Sequence, residues 1–538
     1  MLAVCLLSGG SLGCGRATGI AAGAGMAGRR WSWAWAVAAA LAALELVAAL
    51  QAPYGWFIDE LYYRACALRL AWGFVDHPPM SVGVLALSRA LFGDALLALR
   101  VWPALAVAGA ALAASALARR FGGGEWARCL AALCVAASPV VQVMGSYFSM
   151  NAFELLLWPL GALALLDAVE RGGRRWLPFG ALLGLALLNK HTSLAWALAL
   201  LASLALSPAR RQLATPWPWL AALLAALLVA PNLAWQLREG WPSLEFYQQA
   251  QRVKNIPTPP LGVLAGQVLA VGPAAAPLVV LGVARLIRRA ARPAERVLGG
   301  GFLLLLALMV FAQSSRPDRL AAYQPILFAA GAVALEALGG AGRRWLVPLS
   351  IGVVLCGGAV FLPVALPLFS PMRVAAHAAA LGVVPQLERG RQSALPQWLA
   401  DRLRWPELVE AVARAYRGLS REERARALIF APTYGEAGAL ELWGPALGLP
   451  RVLSNHNSYH LWASHELERE DAQALQGAVW ICVGSSREAL ARWFERVERL
   501  DTVHCDGCID WRRDRALWLA SSPRLPLREF WPELRKFE

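Results

Sequence analysis

The stretch from Trp31 to Met80 decides the fold: WSWAWAVAAALAALELVAALQAP (31–53) is followed by YGWFIDELYY (54–63) and then by VDHPPM (75–80). The first run is long and apolar enough to cross a bilayer, which takes roughly 20 mostly apolar residues. The segment after it, Tyr54–Met80, reads as an acidic, aromatic loop. Ionisable groups at membrane depth are expensive to keep and are functional candidates for that reason. Asp59, Glu60, Asp76 and His77 lie just beyond the first span, at the expected depth of a lipid headgroup.

Working outward, ten further apolar stretches follow, near 93–118, 127–145, 151–168, 176–190, 192–207, 217–236, 261–286, 297–313, 320–338 and 345–369. Hydrophobic residues make up 58% of the chain and charged ones 16%, with a mean hydropathy of +0.47. These values place the chain among α-helical polytopic membrane proteins of about eleven spans. A net charge of +15 would suggest nucleic-acid binding in a soluble protein. Here the arginines cluster in short loops, as at Arg119/Arg120, Arg174/Arg175, Arg210/Arg211, Arg288/Arg289 and Arg343/Arg344, at every second junction. That is the positive-inside pattern, and no nucleic-acid partner is expected. An odd number of spans then puts the N-terminus in the cytoplasm and everything after Phe369 outside, with the whole in a cell inner (plasma) membrane. Residues 1–25 read as a leader or an over-extended start, with Met26 the favoured initiator.

After Pro385 charge rises and long apolar runs stop, so 385–538 is expected to be a soluble, extracytoplasmic α/β domain beside a membrane unit at 26–370. Ala427–Ala431 and Val479–Val483 read as short buried strands, and Ser486 with Glu488 as a capped helix start. Tyr434–Glu441 and Ser454–Trp462 combine aromatic and polar groups, suited either to turns and caps or to gripping a sugar. Cys505-Asp-Gly-Cys508 fits a disulfide or a local pair better than a metal site, since further ligands are missing.

Asp59-Glu60, Asp76-His77-Pro78-Pro79, Asn189-Lys190-His191, Tyr434-Gly435-Glu436-Ala437-Gly438 and Asn455-His456-Asn457-Ser458-Tyr459, in this order, resemble glycosyltransferase family 39. That group includes protein O-mannosyltransferases and the aminoarabinose transferases that modify lipid A. The resemblance covers most of the chain from Trp31 onward. It implies a GT-C fold, a polyprenyl-phosphate sugar donor, an extracytoplasmic acceptor (lipid, glycan or protein) and transfer with inversion. It also implies that the acid after the first span, Asp59, is the base. Two positions depart from the family pattern: Asn151 stands where relatives show Asp, and Arg316, Asp318 and Tyr323 replace a lysine followed by paired tyrosines.

The residues carry compatible chemistry. Phosphate is already a good leaving group, so the reaction needs a base for the acceptor and cations for the departing phosphate. Glu60 orients the loop or binds acceptor. Asp76 and His77 precede two prolines that fix an extended turn, and serve either substrate or structure. Glu154, one helical turn beyond Asn151, is a candidate second acid or a buried helix residue. Of three lysines, at 190, 254 and 536, Lys190 sits at the outer end of a span, poised for a phosphate or for snorkelling. Arg316, Arg319 and Tyr323 complete the expected substrate contacts, with Arg64 and Arg69 as further cations. No cofactor is established, and a divalent cation is left open. The alternatives are a lipid-linked sugar transporter or flippase and a non-catalytic glycan-binding membrane protein. The halves show none of the repeat symmetry that transporters favour.

Overall fold

A computed structural model of the chain describes residues 32–51, 53–314, 316–339, 343, 345–382, 388–389, 392–468 and 479–538. The expected leader and the Met26 start lie outside them. All eleven apolar stretches are helical, beginning with Ser32–Ala49 and ending with Leu346–Ala365. Among the described residues six helices are long and apolar enough to span, or nine if each of three bent pairs is one span. Ser32–Ala49 and Trp176–Asn189 are apolar helices outside that count, and with the nine they account for the eleven apolar stretches. The bends measure 64° at Glu125–Ala137/Pro139–Gly145, 108° at Ser193–Leu206/Pro208–Ala214 and 108° at Pro260–Val271/Ala276–Ile287. Each break holds a proline (Pro139, Pro208, Pro273), which lacks the N–H that would continue the helix and disfavours helical geometry in the residue before it.

The segment expected as an open loop after the first span, Tyr54–Met80, contains the helix Ile58–Leu68, and a second helix, Met80–Phe92, follows it before the next apolar stretch. Likewise the connection near 237–260 contains the helix Pro242–Val253. Aromatic and charged residues hid the helices Ile58–Leu68 and Pro242–Val253, while Met80–Phe92 is apolar but only 13 residues long.

The helical bundle is tied at one end by ion pairs: Arg120 meets Glu170, Arg292 meets both Glu170 and Glu295, and Arg175 meets Asp167. Arg120 and Arg175 belong to the clusters expected together on one side. Arg100 lies on the same helix as Arg120, and twenty residues at 1.5 Å rise separate them by about 30 Å. The Arg100 end carries the acidic helix Ile58–Leu68.

The C-terminal region holds a five-stranded sheet of order β2-β1-β3-β5-β4. Strands β1 (Ala427–Phe430), β2 (Val452–Leu453) and β3 (Val479–Val483) are parallel, and β1 and β3 fall where the apolar runs predicted them. A long antiparallel hairpin, β4 (Phe494–His504) and β5 (Asp514–Pro523), extends the sheet. Its polar outer face hid it from the sequence reading. Cys505 and Cys508 are disulfide-bonded in the connection. Ser486 caps its helix by accepting from Ala489 N–H, as expected. One apolar core runs from Phe57, Leu61 and Tyr62 through Trp405 and Tyr434 to Ile481 and Leu517, so the sheet region is packed against the acidic helix.

Candidate active site

Asp59 enters the site because Ile58–Leu68 starts at Phe57, an extended residue whose N–H is capped by Glu60 Oε2 at 2.8 Å. Consecutive residues on a helix point about 100° apart. Glu60 therefore turns inward while Asp59 faces a cavity. Glu60 is fully buried, its oxygens taking Arg100 Nε at 2.9 Å, Arg100 Nη2 at 2.8 Å and Phe148 N–H at 2.9 Å. With its lone pairs so engaged, Glu60 fixes the helix entry rather than meeting a substrate.

The cavity has a volume of about 700 Å³. Of the residues expected from sequence, it brings together Asp59, Asp76, Asn151, Lys190, Arg316 and Arg319. Glu60, His77, Glu154 and Tyr323 lie outside its lining. His77 is buried, its ring stacked on Tyr63 at 4.5 Å and its Nδ1–H donating to Pro78 carbonyl at 3.2 Å. Burial pushes its pKa down, leaving a neutral imidazole. Tyr323 is buried and donates to Leu298 carbonyl at 2.7 Å. Glu154 sits behind the wall, accepting from Lys190 Nζ at 2.8 Å and Thr192 Oγ1 at 2.9 Å. Arg64 and Arg69 are committed elsewhere, to Asp94 and Glu441.

The cations at the cavity differ in how far they are neutralised. Lys190 carries its pair with Glu154. Arg316 is held by Asp318, at 3.0 and 3.2 Å, and by Glu388 at 3.0 Å. Arg319, next to it, lines the cavity, and its side chain has no hydrogen bond or ion pair among the described residues. Sequence reasoning ranked Lys190 above Arg319, because the compensating carboxylate comes from a different helix.

Asp59 Oδ1 accepts a hydrogen bond of 2.9 Å from Tyr434 Oη, across 375 residues of sequence. Its pKa is raised to about 6, chiefly by burial; the Tyr434 bond opposes this, and the charges of Asp76 and Glu388 add to it. Asp76 Oδ1 accepts from Tyr62 Oη, also at 2.9 Å. Tyr147, Tyr247 and Asp318 line the same space and were missed or left without a role in the sequence. At the other end the wall is apolar, with Val140, Met144, Leu305 and Met309. Leu269 and Leu308 belong to this wall yet are 41% and 55% exposed, so this end opens on the outer surface of the bundle. Among the described residues no group of three or more His, Cys, Asp or Glu side chains forms a metal-ligand set.

The chain trace is similar to that of two crystal structures of ArnT from Cupriavidus metallidurans. The apo structure matches with a TM-score of 0.60 at 14% identity, over 90% of this chain and 97% of that one. The structure bound to undecaprenyl phosphate matches with a TM-score of 0.55 at 15% identity, over 90% and 98%. The fold is that of the GT-C membrane glycosyltransferases. Residues 76–235 match the family described as Dolichyl-phosphate-mannose-protein mannosyltransferase. No curated protein matches the chain by sequence. Within the GT-C fold the segment matched by that family carries Asp76, Asn151 and Lys190 of the cavity, while Asp59, Arg319 and Tyr434 lie outside it.

Proposed function

We propose that this protein is a membrane glycosyltransferase that moves a sugar from a polyprenyl-phosphate donor to an acceptor on the extracytoplasmic face. The observation that carries the reading is Asp59, a half-buried carboxylate facing a cavity with guanidinium groups on its polar wall and an apolar end open to lipid. The similarity to an ArnT structure bound to undecaprenyl phosphate supports the lipid-phosphate part. In this reading the prenyl chain lies along Leu269, Leu305 and Leu308, and its phosphate meets Arg319, with the carboxylate-paired Arg316 and Lys190 beside it. Asp59, with its pKa near 6, is mostly ionised at neutral pH and basic enough to take the acceptor hydroxyl proton. The hydroxyl oxygen bonds to the anomeric carbon as the bond from that carbon to the phosphate oxygen breaks. The leaving phosphate keeps the electron pair and stays against the cations. Attack opposite the leaving group inverts the anomeric centre. Asp76 and Asn151 face the same space and are assigned to sugar hydroxyls.

The test is the envelope of the producing cell. Glycolipids and glycoproteins are compared with and without the protein, and after restoring either wild type or Asp59→Asn. A glycan that disappears, returns with wild type and stays absent with Asp59→Asn is expected. Restoration by Asp59→Asn removes Asp59 from the role of base.

A further inference from the structure

The two carboxylates of the cavity are each held by a phenol, and the two phenols are stacked on one another. Tyr434 donates to Asp59 and Tyr62 to Asp76, both at 2.9 Å, while their rings stack at 4.7 Å and 29°. Tyr434 comes from the C-terminal region and Tyr62 from the helix that carries Asp59.

Both phenols are braced from the C-terminal side. His456 stacks on Tyr434 at 4.6 Å and accepts the Tyr434 N–H at Nδ1. That acceptor role requires the proton on Nε2, which lies 3.0 Å from the Glu538 carbonyl. Tyr62 Oη is 2.7 Å from Ser458 Oγ and 3.2 Å from Ser458 N. A phenol has one hydrogen, so donation to Asp76 makes Ser458 the donor in both contacts. Burial pushes the Tyr62 pKa up, which keeps that hydrogen in place.

The helix Tyr434–Trp443 reaches the acidic helix through a glycine pair three residues apart. A Cβ on Gly435 would meet Ile58 Cγ1 at 2.3 Å, and one on Gly438 would meet Leu61 carbonyl oxygen at 2.8 Å. The two backbones approach closely enough to set the Tyr434 hydroxyl on Asp59. This gives the segment Tyr-Gly-Glu-Ala-Gly a physical purpose beyond turn chemistry.

We propose that Tyr434 is a positioning residue for Asp59, supplied by the C-terminal region, and that the Tyr434–Tyr62 stack aligns Asp59 and Asp76 as one acidic unit. The catalytic part of this rests on the transferase reading above; the coupling of Tyr434 to Asp59 does not. A hydrogen bond to a carboxylate favours its charged form, so removing the donor raises the pKa of the acid. The groups that face Asp59 are Tyr434 from the C-terminal region, Asp76 from the turn before Met80, Glu388 from the linker, Lys254 from the end of Pro242–Val253, Tyr147 after the helix Pro139–Gly145 and Tyr63 from its own helix.

The experiment is thermal unfolding of the purified full-length protein in detergent from pH 4.5 to 8.5, which needs no substrate. Folding raises the Asp59 pKa, so the stability contribution of this group is complete below the unfolded value and is lost as pH rises through about 6. Asp59→Asn should flatten that limb, identifying it. Tyr434→Phe keeps the ring stack and should move the midpoint of the limb upward by about one pH unit. Gly438→Ala, which pushes the two helices apart, should move it the same way. A midpoint unchanged from wild type in both variants overturns the proposal, because a merely structural tyrosine would lower the unfolding temperature without moving the midpoint. The transferase reading fails separately, if Asp59→Asn restores the envelope product.

Discussion

The cations of the cavity differ only in their local partners, and this ranks them. Arg319 has its donors available, so Arg319→Ala should weaken binding of undecaprenyl phosphate by about ten- to a hundredfold, the loss expected for a charge-assisted hydrogen bond of roughly 1.5–3 kcal/mol. Lipid-phosphate binding to the detergent-solubilised protein measures it, and unchanged affinity moves the clamp to Arg316. Lys190 gives a different signature, since it neutralises Glu154 at 2.8 Å within the bundle. Lys190→Met should destabilise the protein strongly by stranding a buried carboxylate, by about 3–5 kcal/mol, and Lys190→Met with Glu154→Met should recover most of it. Equal unfolding temperatures for the single and double variants would show that the pair is not coupled. Asp59 carries the opposite sign. Its raised pKa means that the ionised form is destabilising above pH 6, so Asp59→Asn should be the more stable protein at pH 8, by up to about 3 kcal/mol for a shift of about two units, while losing roughly 10²–10⁴-fold in transfer rate.

At the scale of elements, the acidic helix Ile58–Leu68 is locked by one buried pair. Arg100 and Glu60 are 1% and 0% exposed at the side chain and lie 2.8 Å apart. Arg100→Leu leaves Glu60 charged and unpaired, and should lower stability by about 3–5 kcal/mol and abolish transfer by releasing Asp59. Retained activity in a folded Arg100→Leu protein would separate the helix position from catalysis. Much of this scaffold was legible beforehand. Apolar length located eleven stretches that became helices, and continuous apolar runs found β1 and β3. Three things were not legible. The helix Ile58–Leu68 buries charged Glu60 and Arg64, so its inward face looks polar in the sequence. The β4–β5 hairpin is solvated on one face and lacks a long apolar run. The neutralisation of Lys190 by Glu154, and the seating of Tyr434 on Asp59, join positions 36 and 375 residues apart, which no local pattern encodes. Asp59 itself needed no structure to be noticed, because a carboxylate beside an apolar span already stands out.

The whole molecule has two chemically distinct ends. Ion pairs of Arg120, Glu170 and Arg292 join helices at one, and the acid-lined cavity lies at the other. In the proposed topology, which rests on the arginine pattern, the first end is the cytoplasmic one. A reporter that is active only in the cytoplasm should therefore be silent when fused after Glu538 and active when placed in the loop near Arg174; the reverse pattern inverts the proposed topology. The bond between Tyr434 and Asp59 also bears on how the protein is made. During synthesis Asp59 emerges and is inserted with the first helices, long before Tyr434 leaves the ribosome, and at roughly 5–20 residues per second the interval is tens of seconds. Until the final region has settled on the acidic helix, the nascent chain holds Asp59 without its Tyr434 partner. On the roles proposed for Asp59 and Tyr434, the order in which the polypeptide appears keeps an incomplete copy without its aligned acid.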